Sequence, residues 1–456
     1  MTPSKRKKTT DHLGELCGFL SQTTFDDLPQ AVIERGRQVT ADTIAAIVGG
    51  SAEPEVKALT SSMAKGSSGI ATALGSGRKL QSTTASFLNG TAGTFLEMDE
   101  GNQFSQGHPA IHVLPAALAC SESWKLSGRQ FLLALVLGYE VGSRIGIGAK
   151  IRKSMHPHGT WGTVGGVVAV AKLTGASSEE FREAINVAST LGLGTSRQTM
   201  LQGGTVRNSF AGISGQMAIM AWNMVKAGFS GEHDGLSTVW GTVLSESWNP
   251  IALTEDLGKR WEIERNYFKR HSCCRYNHCA LDVLAEISGN TRFQVNEIDS
   301  IRIETYSLAA QLNDRKPRNT LAAKFSLPFA VASTLINGHS GLDSFTWEAI
   351  GREEIMELAS KVEVVEDKIL TEMVPDYRPA RVKIYLMDGR VLEGFTKTNR
   401  GDSEDPYPQD ELTEKFYELT TRVWSSNDAK KVFSASMSVD HLKDVDALTG
   451  CSNFSK

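Results

Sequence analysis

Residues 382–395 read Val-Lys-Ile-Tyr-Leu-Met-Asp-Gly-Arg-Val-Leu-Glu-Gly-Phe. Val382, Ile384 and Leu386 alternate with Lys383 and Tyr385, and a period of two places apolar side chains on one face of a strand. Asp388-Gly389 is a dipeptide favoured by a two-residue type I′ turn, and Val391, Glu393 and Phe395 follow it. The stretch predicts a β-hairpin. Upstream, Ile301, Ile303 and Thr305 alternate with Arg302 and Glu304, which predicts another strand. Between these strands, residues 325–336 and 347–359 have helical spacing. Strands and helices in one stretch predict an α+β unit over residues 266–398.

Outward from that unit the pattern becomes helical. Pro29 opens a segment in which Val32, Val39 and Ile47 recur at helical intervals, ending at Gly49-Gly50. Ser127–Gln130 and Ser177–Glu180 both have capping-box form. An apolar run, 131–141, follows the first, and Phe181, Ala184, Ile185 and Ala188 line one face after the second. Gly165-Gly166, Ala169 and Ala171 suit helices packed closely. Residues 396–408 are a polar, turn-rich connection, and residues 410–424 are helical again. The fold class is therefore mainly α with an α+β part. The helical domain takes residues 1–265 and is completed by 399–456, and the α+β lid takes 266–398.

A chain of 456 residues can bury a core without disulfides or metal. Lys and Arg number 48 against 52 Asp and Glu, a net charge of −4. That balance argues against nucleic acid as the partner, which needs a clustered cationic surface. No uninterrupted run of 18 apolar residues occurs, so no membrane span is predicted. The N-terminal MTPSKRKKTT is basic, but no apolar segment follows, so it does not read as a secretory signal. Cys273, Cys274 and Cys279 cluster, while Cys17, Cys120 and Cys451 are scattered, which is no disulfide framework. A reducing, cytoplasmic location is the expectation.

Four groups of residues can carry chemistry. Glu97-Met98-Asp99-Glu100 precedes His108-Pro109, and a carboxylate beside an imidazole sets its tautomer and raises its pKa, making it a usable acid or base. A solvated acidic turn is the alternative. His156-Pro157-His158 has the residues of a metal or substrate site, but no third ligand stands nearby. Arg207-Asn208 follows Gly203-Gly204. The run 269–279, KRHSCCRYNHC, contains no CxxC, and Lys269, Arg270 and Arg275 would repel a cation while suiting an anion. A solvated helix start is the alternative there. No GxGxxG or GxxxxGK[ST] occurs, so nucleotide binding has no support.

An ordered set of motifs resembles the MmgE/PrpD family. It runs through Asn89-Gly90, Glu97–Glu100, His108-Pro109, Leu114–Ala119, Gly138–Val141 and Arg144–Gly146. It continues through His156-Pro157 with Gly159-Thr160, Arg207-Asn208 with Ala211-Gly212, Phe268-Lys269, Lys324–Pro328 and Lys415-Phe416. The resemblance covers about residues 10 to 425. The family includes 2-methylcitrate dehydratase, cis-aconitate decarboxylase and iminodisuccinate epimerase.

The resemblance implies a cofactor-independent homodimer with its active site between a helical domain and an α+β lid. It implies a lyase, similar to 2-methylcitrate dehydratase, on a small di- or tricarboxylate, with an epimerase or a decarboxylase as alternatives. A non-catalytic carboxylate-binding protein is the reading from another class. By motif position, His108, His156, Glu97 and Lys269 are the expected catalytic residues. Arg207, Arg275, Asn102 and Tyr276, within or beside these motifs, are the expected substrate-binding residues, and no metal ligand is expected. Three departures stand out. Glu97–Glu100 replaces the usual DxDD, Arg207 stands where the family has a lysine, and Phe329 stands at the position of an active-site tyrosine.

Overall fold

A computed structural model describes residues 10–450. The first nine residues, which hold the basic run, and Cys451 lie outside the described residues. The helices start where local chemistry dictates. The Ser127 amide donates to Gln130 Oε1 at 3.0 Å while the Gln130 amide donates to Ser127 Oγ, so the capping box closes. Ser177 and Glu180 close the second box in the same way.

Helix Gly128–Gly148 is the centre of the larger core, packed against Pro109–Trp124 and Trp161–Leu173. By length and composition it could cross a membrane, but here other helices bury it. Its approach to Trp161–Leu173 depends on glycine. A Cβ on Gly138 would lie 2.6 Å from the Gly165 carbonyl oxygen, and one on Gly165 would lie 2.7 Å from that of Gly138. Neither backbone could yield to such a contact. Ser82–Phe95, Phe210–Lys226 and Gln30–Ser51 complete this core. Gln409–Thr420 and Ser426–Ser436 return to pack on Gln30–Ser51.

The smaller core lies under a four-stranded sheet in the order Val391–Thr396, Ala380–Leu386, Ile298–Thr305, Val362–Glu366. Ala380–Leu386 is antiparallel to both of its neighbours, and Val362–Glu366 pairs in parallel with Ile298–Thr305. Ala380, Val382, Ile384 and Leu386 bury the alternate face against helices Arg275–Asn290 and Leu327–Asn337. The architecture is mainly α with an α+β part.

Several local expectations require correction. The hairpin does not turn on two residues. The Gly389 amide donates to the Leu386 carbonyl and the Leu386 amide to the Arg390 carbonyl, which makes a three-residue loop. Only Gly389, at φ 88°, is left-handed, so the turn carries a glycine bulge rather than the double left-handed type I′ form. The helix expected over 325–336 forms as Leu327–Asn337, starting two residues later because Ser326 caps it through the Phe329 amide, and a short helix Thr320–Lys324 precedes it. Residues 347–359 divide at extended Arg352 into Trp347–Gly351 and Glu353–Ser360. The helix expected over 410–424 ends at Thr420. Helical structure also fails before 265: Ala149–Ile151 pairs with Ser245–Trp248, and 3₁₀ turns follow.

One short pairing matters most for the site. Gly101 and Asn102 pair antiparallel with Tyr267 and Asn266. This ladder sets the acidic segment beside the cationic run, although more than 160 residues separate them.

Candidate active site

The acidic segment follows the C-terminus of helix Ser82–Phe95, where carbonyls lack intrahelical partners. Four successive carbonyls are taken up by side chains from elsewhere. Lys324 Nζ donates to Phe95 O at 3.0 Å, Ser272 Oγ to Leu96 O at 2.8 Å, Lys269 Nζ to Glu97 O at 3.1 Å, and Lys415 Nζ to Met98 O at 2.7 Å. All three lysines are buried. Cations at a helix C-terminus also meet the negative end of its dipole. This clamp holds Glu97 at φ 55°, a left-handed conformation that a residue with a Cβ adopts only under constraint.

The three carboxylates are almost fully buried, so this is no solvated turn. Glu100 is a structural group. Its Oε1 accepts from the Ala110 amide and its Oε2 from the Tyr139 hydroxyl, both at 2.9 Å, and burial raises its pKa to about 8. Asp99 Oδ2 lies 2.9 Å from His108 Nδ1, an ion-pair distance reached off the line of a well-aligned hydrogen bond. Burial pushes the Asp99 carboxyl up, but His108 and Lys269 outweigh it and hold the carboxyl far below its usual range. Glu97 pairs with Arg207.

Four histidines pack together. The His158 ring lies 4.7 Å from His108, 4.7 Å from His156 and 5.0 Å from His112, edge to face in each case. His112 bonds the His108 carbonyl through Nδ1, and its Nε2 accepts from the Gly159 amide, which fixes a neutral ring protonated at Nδ1. The expectation that a carboxylate raises the pKa of His108 is overturned. Burial lowers it, and Asp99 only partly restores it.

The burial of these rings gives a pH dependence. Burial lowers the pKa of His108, His156, His158 and His278, and takes His112 to about 4. A group with a depressed folded pKa binds its proton more readily when unfolded. The histidine contribution is therefore full above the unfolded value near 6.5 and is lost as pH falls below it. Glu100 at about 8, Glu140 at about 7 and Asp42, also raised by burial, act in the opposite sense. Each group changes stability by at most about 1.4 kcal/mol per pH unit, and the five histidines outnumber the three carboxylates. The urea midpoint should fall between pH 6.5 and 5. A midpoint that rises on acidification would show that the carboxylates dominate.

Glu97, His108, His156, Arg207, Arg275 and Tyr276 all line one cleft. Lys269 does not reach its wall. It is fully buried one layer behind, on Glu97 O and 3.5 Å from Asp99 Oδ1. Asn102 does not face the cleft either. Its Oδ1 accepts from the Phe104 and Ser105 amides and its Nδ2 donates to Glu262 O, so it braces the turn. Phe329 packs on Phe345 inside the smaller core, away from the cleft. The cationic run is no solvated helix start: Lys269 and Arg275 are buried, and Arg275 pairs with Asp402. Among the described residues, no group of three His, Cys, Asp or Glu has the geometry to hold a metal.

The wall also holds His158, the second histidine of the His156-Pro157-His158 candidate, and Tyr267, Arg197 and Arg378, which were not among the expected site residues. Tyr267 stands next to a quoted motif and could have been found there. Arg197 and Arg378 lie in loops with no local signal.

Comparison with known proteins places the chain in a family. Residues 14–247 match the MmgE/PrpD N-terminal domain, and residues 271–439 match the MmgE/PrpD C-terminal domain. The chain is 25% identical over 468 residues to the cis-aconitate decarboxylase-like protein oryM of Aspergillus oryzae, covering 95% of each chain. It is 23% identical over 464 residues to the cis-aconitate decarboxylase of Aspergillus terreus, covering 95% of this chain and 94% of that one. It is 25% identical over 396 residues to the cis-aconitate decarboxylase of Homo sapiens, covering 81% and 79%. With both family domains matched across a two-core fold that brings their motifs to one cleft, the chain belongs to the MmgE/PrpD family.

Proposed function

We propose that this protein is a lyase acting on a small di- or tricarboxylate, and that it removes a carboxyl group from an unsaturated acid similar to cis-aconitate. The observation that carries the reading is His108, held by Asp99 at Nδ1, on the wall of a cleft rich in buried arginine. The names of the curated relatives favour decarboxylation among lyase reactions. The division into a helical domain (1–265 with 399–456) and a lid (266–398), a homodimer in the cytoplasm, and independence from metal and organic cofactors belong to the same proposal.

In this reaction the bond between a carboxyl carbon and its chain carbon breaks and CO₂ leaves. The electron pair stays on the carbon skeleton, in conjugation with a remaining carboxylate. A proton then adds to carbon, so one carboxyl is exchanged for one hydrogen. The negative charges of the substrate raise the pKa of a nearby imidazole, which lets His108 carry that proton on Nε2. The guanidinium groups meet the charge on the remaining carboxylates.

Dehydration, as in 2-methylcitrate dehydratase, is the second reading, and one observation favours it. His108 is neutral, and with Nδ1 directed to Asp99 its Nε2 is a base. Dehydration begins by removing a proton next to a carboxylate.

The test incubates the purified chain with cis-aconitate, citrate and 2-methylcitrate in deuterated water, with mass spectrometry and CO₂ trapping. One CO₂ per substrate consumed and one deuterium on carbon are expected. Loss of water without CO₂ would move the assignment to a dehydratase. Deuterium exchange without net loss would move it to an epimerase. Binding of all three acids with no turnover would leave a carboxylate-binding protein.

A further inference from the structure

Five arginines are buried among the described residues: Arg144, Arg197, Arg207, Arg275 and Arg378. Three have a carboxylate at ion-pair distance, namely Glu140, Glu97 and Asp402. Arg197 and Arg378 have none. Arg197 is 7% exposed. Its Nε donates to Gln311 Oε1 at 3.1 Å, and its Nη2 is buried without a partner. Arg378 is 4% exposed, and its Nη2 donates to a single backbone carbonyl, that of Gln103, at 3.1 Å.

Both unpaired arginines lie against the same ring. The Arg197 guanidinium carbon lies 5.6 Å from the centroid of the Tyr276 ring, and that of Arg378 lies 5.4 Å from it. All three residues line the cleft. They arrive from different regions: Arg197 precedes helix Gln198–Leu201, Tyr276 opens helix Arg275–Asn290, and Arg378 precedes strand Ala380–Leu386. A buried charge without a counter-ion is costly, and a tyrosine face offsets only a small part of that cost. Two such charges over one ring form a place prepared for an anion from outside the chain.

We infer that Arg197 and Arg378, ordered by Tyr276, form a seat for a substrate carboxylate that does not react, and that this seat selects di- and tricarboxylates over monocarboxylates. The inference rests on the polycarboxylate reading above and adds the residues that enforce it. A planar guanidinium matches a carboxylate with two parallel hydrogen bonds, which a lysine cannot reproduce. The seat lies on the same cleft as His108, so a carboxylate held there positions the reacting end of the molecule.

The test is calorimetric binding of tricarballylate (propane-1,2,3-tricarboxylate), a saturated acid chosen to bind without turnover, with butyrate as the monocarboxylate control. The wild type should bind tricarballylate and not butyrate. Arg197→Met and Arg378→Met should each weaken tricarballylate about 10- to 100-fold, and the double variant should abolish binding. Arg378→Lys should restore only part of it. With an active substrate, each variant should raise KM far more than it lowers kcat, as loss of a contact common to ground state and transition state requires. Removing an unpaired buried charge should also leave Tm unchanged or raised without ligand, whereas Arg275→Met, which strands Asp402, should lower it. If the folded variants bind tricarballylate as tightly as the wild type, the seat is wrong and the proposed function stands. If the wild type binds no di- or tricarboxylate, the proposed function fails together with the seat.

Discussion

His108→Ala should lower kcat by about 100- to 10,000-fold with a small change in KM. That is the usual range for a positioned proton-transfer group. Three observations set the expectation. The ring lines the cleft, its Nδ1 is occupied by Asp99, and Nε2 has no protein hydrogen bond among the described residues. The substrate's carboxylates are met by arginines elsewhere on the wall, so losing the imidazole removes little ground-state binding. Asp99→Asn should reproduce much of the kcat loss, because the amide no longer holds the proton on Nδ1. The pH profile adds an independent check. His108 is pushed below its ordinary value by burial, and as a proton donor it must be protonated. The alkaline limb of kcat/KM in the free enzyme should therefore begin below about pH 6.5, whereas an acid limb there would mark it as a base and favour dehydration. Near-full kcat in His108→Ala would make this ring structural and move the role to His156. An alkaline limb at or above pH 7 would point to another group as the donor.

Lys269→Met should cost about 3 to 5 kcal/mol of stability at neutral pH, read as a fall in the urea midpoint. It should also cut kcat/KM about 100-fold or more, through misplacement rather than loss of a substrate contact. Lys269 Nζ lies on Glu97 O and within 3.6 Å of Glu97 Oε2 and Asp99 Oδ1, with no solvent exposure. Without it, Glu97 keeps Arg207, but Asp99 keeps only His108. Burial lowers the Lys269 pKa, but Asp99 and Glu97 outweigh it and the net shift is upward. A raised folded pKa means that the contribution is full below the unfolded value near 10.4 and is lost only as pH rises through the folded one. The effect should thus be constant across neutral pH. The double variant Lys269→Met with Asp99→Asn should recover part of the stability, since the stranded charge is gone, while activity stays low. A loss under 1 kcal/mol in the single variant would show that the pair is not coupled to folding.

The sequence by itself determined what is local. Capping boxes at Ser127 and Ser177 are set by residues three apart, and the strand 380–386 by a period of two, so both were legible in the chain. The ordered motifs were enough to bring Glu97, His108, His156, Arg207, Arg275 and Tyr276 to one wall. Tertiary structure decided what depends on burial and on distant counter-charges. Which carboxylate meets His108 followed from the clamp of three lysines on residues 95–98, which come from three different parts of the chain. The downward shift of His108 followed from desolvation by the surrounding fold, which no neighbour in sequence reveals. Asn102 became a turn brace because its ladder partner is Asn266. Arg197 and Arg378 carry no motif, and they became a pair because two loops distant in the chain both reach Tyr276. Backbone periodicity is a short-range property of the chain. The electrostatic state of a group is fixed by everything packed within a few ångströms of it, and that is settled only when the chain has folded.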